Sequence, residues 1–355
     1  MVDDLDLDIL RWMYPRGEWS PWGTGAKIGP TEIALHVGLD RTAVWARMLR
    51  WRREGFWDGF EAHLNFAIFG VGLLHASIHV SDSAEGCDLM DELEQVEGVL
   101  AASLYSGDSA TTRNVEGVAV VMVAENPARV ARRMRILQRL SPTRNVNGPF
   151  GMQGPPCSRV LTPLDWRILA AIVANPNASP SQAARIVGLT LKTFVRHHSA
   201  LVGDHVVSYA PKVDWSKLGC VTLSFYCRDA GDVDRVHRAL EARFPHMIPM
   251  RVEGIGDIAP EYDPSRCFGV IVPAHSPHEV LTLVRDLSRL DGVRLVRPEL
   301  WGPQRQFPRW VNQRIAEHLT TPERVSYSLV PPSSGRKSAG RATRAPAKEL
   351  ELVSP

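Results

Sequence analysis

Laid against itself at an offset of 150 residues, the chain repeats. Pro30 meets Pro180, Ala34 meets Ala184, and Val37-Gly38-Leu39 meets Val187-Gly188-Leu189. At 149, Gly70 meets Gly219 and Gly107-Asp108 meets Gly256-Asp257. At 150 again, Pro127, Val130, Arg135, Leu137, Arg139, Leu140, Arg144 and Val146 meet Pro277, Val280, Arg285, Leu287, Arg289, Leu290, Arg294 and Val296. Agreement sustained at nearly one offset predicts a tandem duplication, residues 1–150 and 151–300, followed by a tail. Only the start drifts. Pairing Asp8 with Asp165 needs an offset of 157, so the first copy carries about seven extra residues. They fall between Tyr14 and Lys27, a Gly- and Pro-rich loop holding Trp19 and Trp22. Those rings either pack on their own domain or offer a surface to a partner.

Each copy opens like a small helical head. Leu5, Ile9 and Trp12 make one apolar stripe on a short helix. A second helix starts at Pro30 with Ile33, Ala34 and Val37 facing inward, and Gly38 stops it. Asp40 is a suitable N-cap for a third helix, Arg41 to about Arg53, with Val44, Met48 and Trp51 on its core face. This pattern predicts a helix-turn-helix, and Gly55-Phe56-Trp57-Asp58-Gly59-Phe60 reads as its wing.

The third helix bears Arg41, Arg47, Arg50, Arg52 and Arg53 with no acid between residues 41 and 53, a composition suited to phosphates. Arg41, Thr42 and Trp45 are candidates for base edges, and Arg47, Arg50, Arg52 and Arg53 for the backbone. The second copy keeps the frame with Thr190 as N-cap and Lys192, Arg196, His197 and His198 along the helix. His198 takes the core position of Met48, so this head is either a second reader or a packing element. His197 and His198 are no metal pair, because adjacent helical residues diverge.

The remainder of each copy alternates with period two and then reverts to helical spacing. In the first strand Leu74, Ala76, Ile78 and Val80 oppose His75, Ser77 and His79. In the second copy Val221, Leu223, Phe225 and Cys227 oppose Thr222, Ser224, Tyr226 and Arg228. The element order is βαββαβ, a ferredoxin-like arrangement with helices on one sheet face. The semi-polar face is expected to meet another such domain. His75 and His79 lie roughly 13 Å apart along one strand, too far to share a metal easily.

The expected fold class is therefore α+β, two copies of a winged helix-turn-helix plus a ferredoxin-like domain. The expected domains are 1–67, 68–150, 158–213 and 214–300, with a C-terminal extension over 301–355 that is basic and disordered from about 330. Formal charge is +2, from 41 Lys and Arg against 39 Asp and Glu, so any attraction to nucleic acid must be local. The five cysteines, at 87, 157, 220, 227 and 267, include no Cys-x-x-Cys and predict neither disulfides nor a zinc site. No cofactor or metal is expected. The acidic N-terminus and the interrupted apolar run from Leu64 to Val80 predict a cytoplasmic protein without membrane contact.

Ile33-Ala34-x-x-Val37-Gly38-Leu39, Val44-x-x-Arg47 and Gly55 to Phe60, followed by βαββαβ, resemble the Lrp/AsnC transcription regulators. The resemblance covers about residues 5–147 and, less sharply, 161–300. It implies sequence-specific binding of double-stranded DNA, sheet-mediated pairing of the two copies, further oligomers, and a small-molecule effector, with amino acids as one class. Gly107-Asp108 and Gly256-Asp257 match a Gly-Asp that family members carry near the effector pocket, although the pair also suits a plain turn. His75, His79, Tyr226 and Arg228 complete the expected effector set. Two copies in one chain depart from the family's single unit and favour an asymmetric DNA site.

Siroheme decarboxylases resemble the same two-domain unit, and their paired subunits are similar to this internal pairing. Their basic, aromatic and histidine-containing stretch has no clean match here, where His75, His79, Arg113 and Arg228 are the substitutes. A ligand sensor or scaffold that does not bind DNA is the third class. The expectation from sequence is thus a regulator and not an enzyme.

Overall fold

In the computed structural model the described residues are 3–14, 27–107, 115–152, 155–214, 217, 219–250, 266–274 and 276–320. Most of the loop with Trp19 and Trp22, together with Asp108, Arg113, Gly256, Asp257 and the basic tail, lies outside them. The first head comprises α1 (Asp4–Met13), α2 (Pro30–Val37) and α3 (Arg41–Glu54). The second comprises α6 (Pro163–Ala174), α7 (Pro180–Val187) and α8 (Leu191–Gly203). Gly38 and Gly188 end α2 and α7 at φ 67° and 72°, a left-handed turn that other residues adopt only with strain.

The start of the repeat is corrected by its caps. Asp3 and Asp6 form a capping box on α1, and Thr162 and Asp165 form one on α6. Asp6, not Asp8, is therefore the counterpart of Asp165, and the first copy carries nine extra residues rather than about seven.

The wing is a single strand whose partner lies in the other copy. Strand β1 (Trp57–Leu64) pairs antiparallel with β6 (Val207–Val213), with Ala62 opposite Tyr209. A turn signal specifies where a strand starts, whereas this pairing is long-range and leaves no local trace.

The first βαββαβ unit is β2 (Gly72–Val80), α4 (Ser83–Leu93), β3 (Val99–Gly107), β4 (Val115–Ala124), α5 (Pro127–Leu140) and β5 (Val146–Met152). The second is β7 (Cys220–Cys227), α9 (Ala230–Arg243), β8 (Ile248–Met250), β9 (Cys267–Pro273), α10 (Pro277–Leu287) and β10 (Val293–Gln306). The strand order is β5-β2-β4-β3-β10-β7-β9-β8, so two ferredoxin-like sheets join edge to edge. Strand β10 makes the join. Its first half pairs with β7, its second half with β3, and Glu299 stands opposite both Thr222 and Gly107. The register also refines the repeat. Val120 and Val270, repeat partners at 150, pair with Ala76 and Leu223, which places β2 and β7 at an offset of 147, not 149.

The fold is thus α+β, with two winged helix-turn-helix heads and two ferredoxin-like domains, and the heads are exchanged. Ile9, Ile33, Met48 and Trp51 of the first head share a core with Ile248 and Ile271 of the second sheet. Trp166, Leu169 and Phe194 of the second head share one with Leu73, Leu100 and Val123 of the first sheet. Burying apolar surface between copies ties the chain into one unit, which spans Met1–Arg324. The expected extension over 301–355 begins as regular structure. Strand β10 runs to Gln306, and α11 (Arg309–Thr320) buries Trp310 and Ile315 between the second head and the first sheet.

Candidate functional sites

The first candidate is the outward face of α3. Val44, Met48 and Trp51 are buried, which turns Arg41, Thr42, Trp45, Ala46, Leu49, Arg52 and Arg53 to solvent. That face holds three arginines, an indole and an isobutyl group, with no acid among them. Arg47 and Arg50 behave differently. Asp6 is buried at the N3 position of α1, where it accepts from Arg47 Nη1 at 2.7 Å, Arg50 Nη2 at 2.5 Å and Trp51 Nε1 at 3.2 Å. Arg47 also reaches Asp3 at 2.9 Å. A carboxylate taken out of water needs such partners, so these two arginines position α3 on α1.

The second head repeats the device with other chemistry. His197 Nδ1 lies 3.2 Å from Asp165, and Arg159 bridges Asp165 and Asp204. Lys192 and Arg196 are exposed on α8 beside Leu191 and Val195. His198, in the place of Met48, meets the Tyr209 hydroxyl at 2.8 Å and stacks on Phe194, while Lys27 sits 4.8 Å over the Tyr209 ring.

The second candidate lies on the sheet faces that α4, α5, α9 and α10 leave uncovered. At the outer ends these faces are apolar and lie under the exchanged heads. At the seam they are polar. Ser77 hydrogen-bonds the Tyr105 hydroxyl, and the Tyr105 and Trp301 rings stand 6.1 Å apart. Gly117 makes room for Tyr105, since a Cβ there would come within 2.6 Å of the ring. Ser224 Oγ donates to Glu299 at 3.1 Å, and the Arg297 guanidinium lies 4.9 Å over the Tyr226 ring. Burial raises the Glu299 carboxyl above its ordinary range against the pull of Ser224 and Arg297. Burial also pushes Tyr226 up to about 12 and raises Tyr105. Burial pushes His75 down to about 4, so its imidazole is neutral at pH 7. His79 is buried with its ring against Asn147 at 2.8 Å, and burial lowers its pKa also.

Of the residues expected from sequence to bind an effector, Tyr226 belongs to this seam. Gly107 ends β3 beside it, His79 stands on β2 in register with Gly117, Tyr105 and Trp301, His75 lies further along β2 opposite Val121, and Arg228 is exposed past the end of β7. Asp108, Gly256 and Asp257 fall outside the described residues. Sequence reasoning missed Glu299, Trp301 and Arg297. Their signal was the alternation of Arg297, Glu299 and Trp301 across the expected domain boundary at 300.

No protein-family model matches the sequence, nor does any curated protein sequence. Among solved structures, the siroheme decarboxylase NirDL aligns with 89% of this chain and 98% of its own, at 12% identity and TM-score 0.47. Its complex with an iron-uroporphyrin III analogue aligns similarly, at 11% identity and TM-score 0.46. AsnC of E. coli aligns with 40% of this chain and 92% of its own, at 14% identity and TM-score 0.29. These likenesses are of fold. One expectation from sequence falls with them. That the chain is not an enzyme does not stand, because the structures aligning with 89% of it are those of a decarboxylase. No helix among the described residues is long and apolar enough to cross a membrane.

Proposed function

We propose that the chain is a sequence-specific DNA-binding regulator with two unequal heads and a small-molecule site on its sheets. The acid-free outward face of α3 carries the reading. Arg41, Arg52 and Arg53 suit phosphates, while Trp45 and Leu49, 44% and 39% exposed, suit thymine methyls and sugar edges. Lys192, Arg196 and the apolar Val195 give the second head a weaker version of the same face. Unequal heads held by one β1–β6 ladder favour an asymmetric operator. The test is selection of bound genomic fragments, titrated with salt. Sequence-selective binding that weakens steeply with salt supports the reading, and its absence refutes it.

A second reading, an enzyme removing carboxyl groups from a tetrapyrrole such as siroheme, is favoured by a different observation. The seam gathers Glu299, Tyr105, Tyr226 and Arg297 from both copies, with burial shifting several of them. Non-oxidative decarboxylation breaks the bond to the carboxyl carbon, releases carbon dioxide and returns a proton to the carbon left behind. A carboxyl whose pKa burial raises holds its proton more tightly than an exposed one and is a candidate proton donor. Spectra recorded with siroheme, together with carbon dioxide release, test it.

A further inference from the structure

We propose that the outward face of α5 is a second nucleic-acid surface, one that takes the sugar-phosphate backbone of duplex DNA without reading its sequence. The inference rests on the DNA-binding reading and adds to it a contact outside the heads.

Residues 127–145 contain Arg129, Arg132, Arg133, Arg135, Arg139 and Arg144 and no Asp or Glu. Met134 and Leu137 are buried against the first sheet, so Arg132, Arg135 and Arg139, at i, i+3 and i+7, share the solvent side of the helix. Arg144 is exposed just beyond its end. Partners sort these arginines into two kinds. Arg133 is buried on the Glu97 and Val123 carbonyls and the Glu125 carboxylate, and Arg129 donates to Glu125 at 2.7 Å. Arg132, Arg135, Arg139 and Arg144 meet no acid among the described residues. Like charges three and four residues apart destabilise a helix, so a face that gathers them without an acid of its own suits an external anion. Guanidinium forks match phosphate oxygens, and about 10 Å along the axis separates Arg132 from Arg139, on the order of three base steps. Composition decides between a phosphate polymer and an acidic protein. Protein interfaces are built round an apolar centre depleted in charge, whereas the exposed apolar side chains beside these arginines are the small Ala128 and Ala131.

The repeat shows that this face is not required by the fold. At the offset of 150, α10 puts Glu279, Thr282, Arg285, Asp286 and Arg289 where α5 has Arg129, Arg132, Arg135, Ile136 and Arg139. Asp286 lies 3.2 Å from Arg285 Nε. The second copy therefore covers its sheet with a helix of mixed sign, and the acid-free face is made once per chain. It is also separate from α3. Met134 and Leu137 share a core with Val118, Val120 and Met122, while Val121 and Val123, on the other face of β4, turn to the second head. Helix α5 thus lies across the sheet from the second head.

The experiment measures affinity of the full chain for a duplex of arbitrary sequence across a salt series. The parent is compared with the triple variant Arg132→Gln, Arg135→Gln, Arg139→Gln and with the same three positions changed to Lys. The Gln variant is expected to keep its unfolding midpoint, to bind the duplex at least about tenfold more weakly at low salt, and to show a log–log salt slope smaller by about 2–3. The Lys variant, which keeps the charge, is expected to keep the slope. A folded Gln variant with parental affinity and slope, a Lys variant as weak as the Gln variant, or a parent that ignores the duplex at low salt overturns the proposal. Parental DNA binding combined with loss of self-association in sedimentation velocity also overturns it, and gives the face to an acidic surface of a second copy. Preference for a selected fragment over this duplex belongs to α3. Its absence refutes the α3 reading while the comparison of α5 variants still stands, so the two failures are distinct.

Discussion

Arg47 of α3 donates to the Asp6 carboxylate of α1 at 2.7 Å, and that carboxylate is closed to solvent. The arginine that the sequence offers as a phosphate contact is thus a structural counter-ion. Arg47→Ala is expected to destabilise the chain by about 2 kcal/mol, the order for hydrogen bonds to a charged group. Urea unfolding followed by circular dichroism measures it. Unchanged stability contradicts the assignment.

The exchanged cores predict how a half-chain behaves. Residues 1–152 alone would leave β1 and the β3 edge unpaired and the first head without Ile248 and Ile271. Exposed strand edges recruit other chains, so this fragment is expected to dimerise or aggregate. A well-folded monomer in sedimentation velocity would contradict the exchange.

Helix α11 is a structural brace. Trp310 packs between Phe66 and Phe69, and Arg314 donates to Glu125 at 2.9 Å. Trp310→Ala is expected to cost about 3–5 kcal/mol, the range for an aromatic removed from a core. Thermal unfolding reads the loss, and hydrogen exchange should show it first in α6 and α11.

Glu125 also sets an acid limit. Burial works to raise its pKa, but hydrogen bonds from Arg129 and Arg133 outweigh that and hold it down to about 2. A folded value below the unfolded one means the contribution is full above about pH 4.5 and is lost as pH falls toward 2. Glu125→Gln is expected to be less stable than the parent at pH 7, with a shallower decline below pH 4. Parallel pH profiles for the two proteins would contradict this.

The local elements were largely legible. Helix α2 starts at Pro30 and α3 at Arg41 as the spacing predicts, and Asp40, Thr190 and Gly38 cap as expected. What the sequence hid is long-range. Nothing near Trp57 tells that β1 pairs with β6, and nothing near Leu300 tells that β10 continues onto β3. The α3 arginines show the same limit at the site. Their count is local, but which of them are spent on Asp6 depends on how α1 packs. Alternation marked His75 and Tyr226, whereas Glu299 and Trp301 gain meaning only once two sheets share β10.

The α3 arginines fall into two sets, Arg41, Arg52 and Arg53 open to solvent and Arg47 and Arg50 bound to Asp6. The decisive measurement is DNA affinity across a salt series for the chain and for the Arg41→Ala, Arg52→Ala, Arg53→Ala triple variant. The variant is expected to keep its unfolding midpoint, lose selective binding, and show a log–log salt slope smaller by about 2–3, one unit per phosphate contact. A folded triple variant with parental affinity and slope would contradict α3 as the reading face.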